Sequence, residues 1–147
     1  HSCLVGSEMC IRDRDNIDSK PEFVWMNAES IGDNDPALNY YSNLPAVFIF
    51  DKPLLNYLQL STKRIIFLLD CLRELANKRS TQVYLDNPIE YLKNKNFAST
   101  FAAVPKYKKI TRVNIPTTEF PSVRLVKPIN FYPSSYSSWK KRIELNI

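Results

Sequence analysis

Three short apolar runs in this chain each close on a polar side chain. Residues 22–27 end at Asn27, residues 45–51 at Asp51 and residues 81–86 at Asp86. Runs of this length suit strands, which span roughly 4–8 residues, better than helices. The second and third are followed almost at once by Pro53 and Pro88, and proline is favoured in the first turn of a helix. A chain that alternates short strands with helices through brief connections is driven toward parallel crossover units. Such a sheet is covered by helices on both faces, which explains why its strands are apolar at consecutive positions.

The remaining elements follow the same logic. Asn34 or Asp35 is placed to cap a short helix opening at Pro36. Residues 53–60 suit a short helix, and Ser61 caps a long one running to about Lys78. Ile65, Leu68, Leu69, Leu72, Leu75 and Ala76 recur at helical spacing, with Lys63, Arg64, Asp70, Arg73 and Glu74 on the polar side. Asn87 caps a helix over residues 88–95. A fourth strand is expected at residues 98–104 and a fifth at 122–126. The predicted fold class is α/β, a Rossmann-like, doubly wound and mostly parallel sheet of about five strands, with an irregular C-terminal tail.

The N-terminus reads differently. Residues 4–13, Leu-Val-Gly-Ser-Glu-Met-Cys-Ile-Arg-Asp, resemble the translation of a transposase-type sequencing adaptor. Residues 1–14 are therefore expected to be a non-native segment, residues 15–127 the α/β domain and residues 128–147 an aromatic and basic tail. Setting the segment aside removes His1, the only histidine, along with Cys3, Cys10 and Gly6.

A chain with no histidine cannot run a Ser-His-Asp or Cys-His relay, and a lone Cys71 cannot supply a structural zinc site. Gly32 alone cannot build a glycine-rich phosphate loop. No catalytic residue and no metal site is expected. Cys71, among Leu68, Leu69, Leu72 and Leu75, reads as a small core residue. A lone cysteine suits a reducing compartment, and no apolar run approaches a membrane span, so a cytoplasmic location is expected. The net charge of +5 survives the trimming, because Arg12 and Arg14 offset Glu8 and Asp13.

Several local strings, taken in order, carry a resemblance. Phe23-Val24-Trp25 lies on the first strand, and Asp33-Asn34-Asp35-Pro36-Ala37-Leu38 follows it. Next come Pro45 to Asp51, the helix from Leu60 to Leu68 with its Arg64–Phe67–Leu68 spacing, and Asp86-Asn87-Pro88. Across residues 22 to about 105 the chain resembles the N-terminal α/β domain of the DNA photolyase and cryptochrome family.

Three departures accompany this likeness. The family's arginine-rich loop is replaced by Asn27-Ala28-Glu29-Ser30-Ile31, the Asp-Asn-Pro string carries an extra Asp35, and the helical FAD-binding domain is missing. The resemblance therefore implies a deoxyribodipyrimidine photo-lyase-related module that is not catalytic alone, since repair needs a flipped-out base beside the flavin. It implies an antenna chromophore of folate or deazaflavin type, no FAD in this chain, and a FAD-binding helical domain as partner, in cis (lost) or in trans.

In doubly wound sheets, ligands bind beyond the carboxyl ends of the strands. Asn27, Asp51 and Asp86 are thus the expected cofactor-binding positions, although Asp51 and Asp86 also suit helix caps. Trp25 suits either an energy path or inter-layer packing. The tail offers a second function, a non-catalytic nucleic-acid-binding module. Lys140, Lys141 and Arg142 would meet phosphates in weak DNA binding, and Tyr136 or Trp139 would stack on bases, unless these rings pack back on the sheet.

Overall fold

The computed structural model describes residues 12–13, 19–127, 130 and 132–143. The adaptor-like residues 1–11 and 14, with Ile129 and Phe131 of the tail, lie outside the described residues.

In chain order the elements are β1 (Arg12–Asp13), β2 (Phe23–Met26), α1 (Pro36–Tyr40), β3 (Ala46–Asp51), α2 (Lys52–Tyr57) and α3 (Thr62–Ala76). They continue with β4 (Thr81–Asp86), α4 (Pro88–Tyr91), β5 (Phe97–Thr100), α5 (Pro105–Val113), β6 (Thr118–Phe120) and α6 (Tyr136–Lys140). The strands form one sheet in the order β1-β6-β5-β2-β3-β4. β2 through β6 are parallel, and β1 adds antiparallel to β6 at the edge. The chain steps outward from β2 to β3 and β4, then crosses back to β5 on the other side of β2.

Local signals place most helix starts as expected. Asp35, Asp51, Ser61 and Asn87 each accept a backbone N–H of the turn they open, which satisfies one of the donors a helix N-terminus leaves without an internal partner. Strand alternation then divides the apolar residues between two cores. Val24, Met26, Ala46, Phe48, Ala98 and Phe120 face α1 and α3, where Ala37, Leu38, Leu72 and Leu75 close over them. Phe23, Trp25, Val47, Ile49 and Phe97 face the other way, under Leu92 after α4 and Tyr107 and Ile110 of α5. Trp25 is 3 % exposed and meets Phe97 and Tyr107 edge-on, so it packs between layers.

Three sequence expectations are corrected. The fifth parallel strand is Thr118–Phe120, not 122–126. Val123 and Leu125 are exposed, whereas Phe120 is buried against the α1 side. The fourth strand stops at Thr100, and the expected run to Val104 turns instead into a helix led by Pro105. The sequence pattern does not mark this helix, α5. Its apolar signal is Tyr107, Ile110 and Val113 at i,i+3 spacing, of which only the first two are buried, set among Lys106, Lys108 and Lys109. On α3, Leu68, Leu72 and Leu75 are buried as expected, while Leu69 and Ala76 are exposed and Cys71 is half-buried.

Candidate functional site

β2 and β5 are neighbours in the sheet, and their outgoing loops diverge. The loop after β2 leads to α1 on one face, and the loop after β5 leads to α5 on the other. That divergence opens a crevice at the carboxyl edge, where doubly wound sheets hold ligands. Its volume is about 450 Å³, and its walls come from residues 29–36, residues 100–104 and the pair Ser122 and Val123.

Buried polar side chains hold the crevice open. Asn27 Nδ2 donates to the Thr100 carbonyl at 3.0 Å. Asn27 Oδ1 accepts from Glu29 N–H at 3.0 Å and from Ser30 Oγ at 3.4 Å, which folds the β2 loop back on itself. Asp35 Oδ1 accepts from Leu38 N–H at 3.0 Å and from the Thr100 hydroxyl at 2.9 Å. The same hydroxyl oxygen accepts from Ala37 N–H at 3.3 Å. Asn27, Asp35 and Thr100 are all buried, so the bonds to the Thr100 carbonyl, the Thr100 hydroxyl and Leu38 N–H are made away from competing water. On the α5 side, Tyr107 Oη accepts from Ala28 N–H at 2.9 Å, and burial pushes its phenol above the ordinary range.

The walls are acidic and apolar. Glu29, Asp33 and Asp35 contribute carboxylates, Phe101, Ala102 and Val104 contribute apolar surface, and among the described residues no lysine or arginine lines the space. Asp33 forms an ion pair with Lys78, whose ammonium is held above its usual range by that hydrogen bond. This arrangement favours an uncharged ring system with N–H donors over a phosphate.

The predicted positions separate in space. Asn27 sits beneath the crevice and braces both of its walls without lining it. Asp51 caps α2 through Leu54 N–H at 3.0 Å and lies 4.0 Å from Lys106 Nζ. Burial pushes Lys106 below the usual lysine range, against the pull of Asp51. Asp86 lies on the edge strand β4, exposed, with its own carboxylate accepting from Asn87 N–H at 2.7 Å. Asp35 and Thr100 also shape the crevice. Their only signals in the sequence were a helix cap and a polar residue inside a strand of small side chains.

Among the described residues no group of three His, Cys, Asp or Glu side chains is placed to hold a metal ion. None of the described helices is long and apolar enough to cross a membrane. The sheet order and the two helical layers make this a Rossmann-like α/β protein. Compared with protein-family models, curated proteins and solved structures, the chain matches none.

Proposed function

We propose that this chain is a photolyase- and cryptochrome-like α/β module. In this reading, the crevice between β2 and β5 holds an antenna chromophore of folate or deazaflavin type. The supporting observation is the crevice itself. It lies at the point where the winding of the sheet reverses, is about 450 Å³ in volume, and among the described residues is lined by apolar surface with carboxylate acceptors and no lysine or arginine. Ligand sites of this kind are concave and mostly apolar, with a few fixed polar groups to set orientation. Glu29 and Asp33 would accept from ring N–H groups, and Phe101 and Val104 would cover the ring. A helical flavoprotein, in cis or in trans, would be the energy acceptor.

The test is spectroscopic. Purified protein should carry, or take up from added folate or deazaflavin, an absorbance beyond the range of its tryptophans and tyrosines. Ala103→Trp, at an exposed position in the wall, should abolish uptake without loss of fold. No chromophore and no uptake of either compound would refute the reading.

One observation favours a second reading, a nucleic-acid-binding tail. Tyr132 and Tyr136 do not pack back on the sheet but stay exposed, and Tyr136 leans on Trp139 at a ring separation of 5.6 Å beside Lys140 and Lys141. Exposed rings next to cations suit single-stranded nucleic acid. Salt-dependent DNA affinity that falls on combining Lys140→Ala, Lys141→Ala and Arg142→Ala is the expected result, and an affinity unchanged by them rules it out.

A further inference from the structure

The sheet has two edges, and they are treated differently. β6 is covered by β1, whereas among the described residues β4 pairs only with β3. β4 is six residues long, holds no proline, and carries no charge from Thr81 to Leu85. Edges of that length are usually blunted by charge, proline or a bulge.

The register with β3 fixes what this edge presents. Ala46 N–H donates to the Ser80 carbonyl. Ser80, Gln82, Tyr84 and Asp86 therefore turn their backbone groups toward β3, and Thr81, Val83 and Leu85 turn theirs outward. Side chains alternate as well. Val83 and Leu85 share the face of Phe48 and α3, while Tyr84 stacks on Tyr91 of α4 on the opposite face. Val83 and Leu85 are 44 % and 63 % exposed.

We propose that a second copy of this chain pairs antiparallel with β4 about a two-fold axis through Tyr84, joining two sheets into one. The β4 string is complementary to itself in that register. Val83 stands opposite the other copy's Leu85, so apolar meets apolar on the α3 face. Gln82 stands opposite the other copy's Asp86 on the α4 face. Gln82 Oε1 already accepts from the Tyr84 hydroxyl at 2.9 Å, which leaves the side-chain Nε2 to donate. Asp86 Oδ1 already accepts from Asn87 N–H, which leaves Oδ2 to receive that amide. Symmetry makes each match twice, as an isologous interface requires. A register centred on Val83 would set Val83 against Val83 but both Leu85 side chains against Thr81, leaving one apolar pair where the register centred on Tyr84 makes two.

Sedimentation velocity of the full chain over a concentration series should show a dimer. Leu85→Lys sets an ammonium against the other copy's Val83. Because Leu85 is exposed, the variant should keep its far-ultraviolet circular dichroism while its dissociation constant rises more than about tenfold. Tyr84→Cys, in a chain whose other cysteines are serine, brings two thiols together at the axis. Their Cα atoms would be about 4.5 Å apart, within disulfide reach, so oxidation should give a covalent dimer that reductant removes. A chain monomeric at every concentration overturns the proposal. So does a dimer that resists Leu85→Lys, one that Tyr84→Cys fails to lock, or an edge that pairs only with an added extended peptide of other sequence.

Discussion

The Asn27 side-chain amide donates to the carbonyl of Thr100, 73 residues further along the chain, at 3.0 Å. This bond joins the ends of β2 and β5 across the point where the sheet reverses its winding. It fixes the separation of the two loops that wall the crevice, so the site depends on a residue that does not line it.

Asn27→Ala leaves the Glu29 N–H without its acceptor and Thr100 without its donor, and should cost about 2–3 kcal/mol in urea denaturation. Asn27→Asp keeps an acceptor for Glu29 but sets an anionic oxygen against the Thr100 carbonyl. Its carboxyl will be held above the usual range in the folded state. The loss should therefore be larger at neutral pH and partly recovered as the pH falls and the group takes a proton. Urea midpoints over a pH series check the sign.

Thr100→Val preserves shape but removes a hydroxyl that donates to Asp35 and accepts from Ala37. A loss of about 1–3 kcal/mol is expected. Asp35→Ala removes the α1 cap as well, and caps contribute about 0.5–2 kcal/mol. Because the two side chains share a bond, the double variant should lose less than the sum of the singles, which a double-mutant cycle measures.

Arg79 donates to the carbonyls of Leu38, Tyr41 and Leu44, and its Nη1–Leu38 bond is 2.9 Å. One planar fork thus closes the turn between α1 and β3. Burial pushes the guanidinium below its ordinary range, with Asp35 opposing. Lysine presents its donors from a single point and cannot span three carbonyls. Arg79→Lys should destabilise by about 1.5–3 kcal/mol despite keeping the charge, as read from a melting curve.

Two phenols set an alkaline limit. Burial first, and then Tyr84, push Tyr91 up to about 12, and burial also raises Tyr107. Both folded-state values lie above the unfolded value of 10.0, so the fold prefers the neutral phenols. Their contribution is fully present below pH 10 and is lost as the pH rises from there toward 12. Tyr91→Phe should flatten that loss. Tyr107→Phe should also lower stability at neutral pH, because Ala28 N–H loses its acceptor.

Lys106 runs the other way. Its folded value lies below the ordinary 10.5, so the protonated form is disfavoured in the fold and stability rises as the pH climbs through that interval. Lys106→Met removes the buried charge and also the weak pair with Asp51. The variant should match or exceed the parent by up to about 1 kcal/mol at neutral pH, and the advantage should vanish near pH 10. Urea unfolding at the two pH values tests this.

The elements that the sequence alone determined are those made by neighbours in the chain. Strands β2 and β3 showed as apolar runs because their consecutive side chains point to two buried layers, and β4 showed by a similar run although most of its side chains are exposed. The caps at Asp35, Ser61 and Asn87 showed because a side-chain oxygen reaches N–H groups only two or three residues ahead. The α/β class followed from their alternation.

Tertiary structure alone decided which strands are neighbours, and that decision built the site. The crossover from β4 back past β2 sets Asn27 beside Thr100 and leaves Asp51 and Asp86 on the far side of β2. Helix α5 was hidden because two buried side chains among lysines carry little periodic signal, and only the sheet beneath Tyr107 and Ile110 reveals which face is covered. The exposure of Val83 and Leu85 was equally unreadable, since an edge strand and a central one can share the same apolar string. Hydrogen bonds and burial between distant segments depend on strand order, and strand order is a property of the whole packed chain.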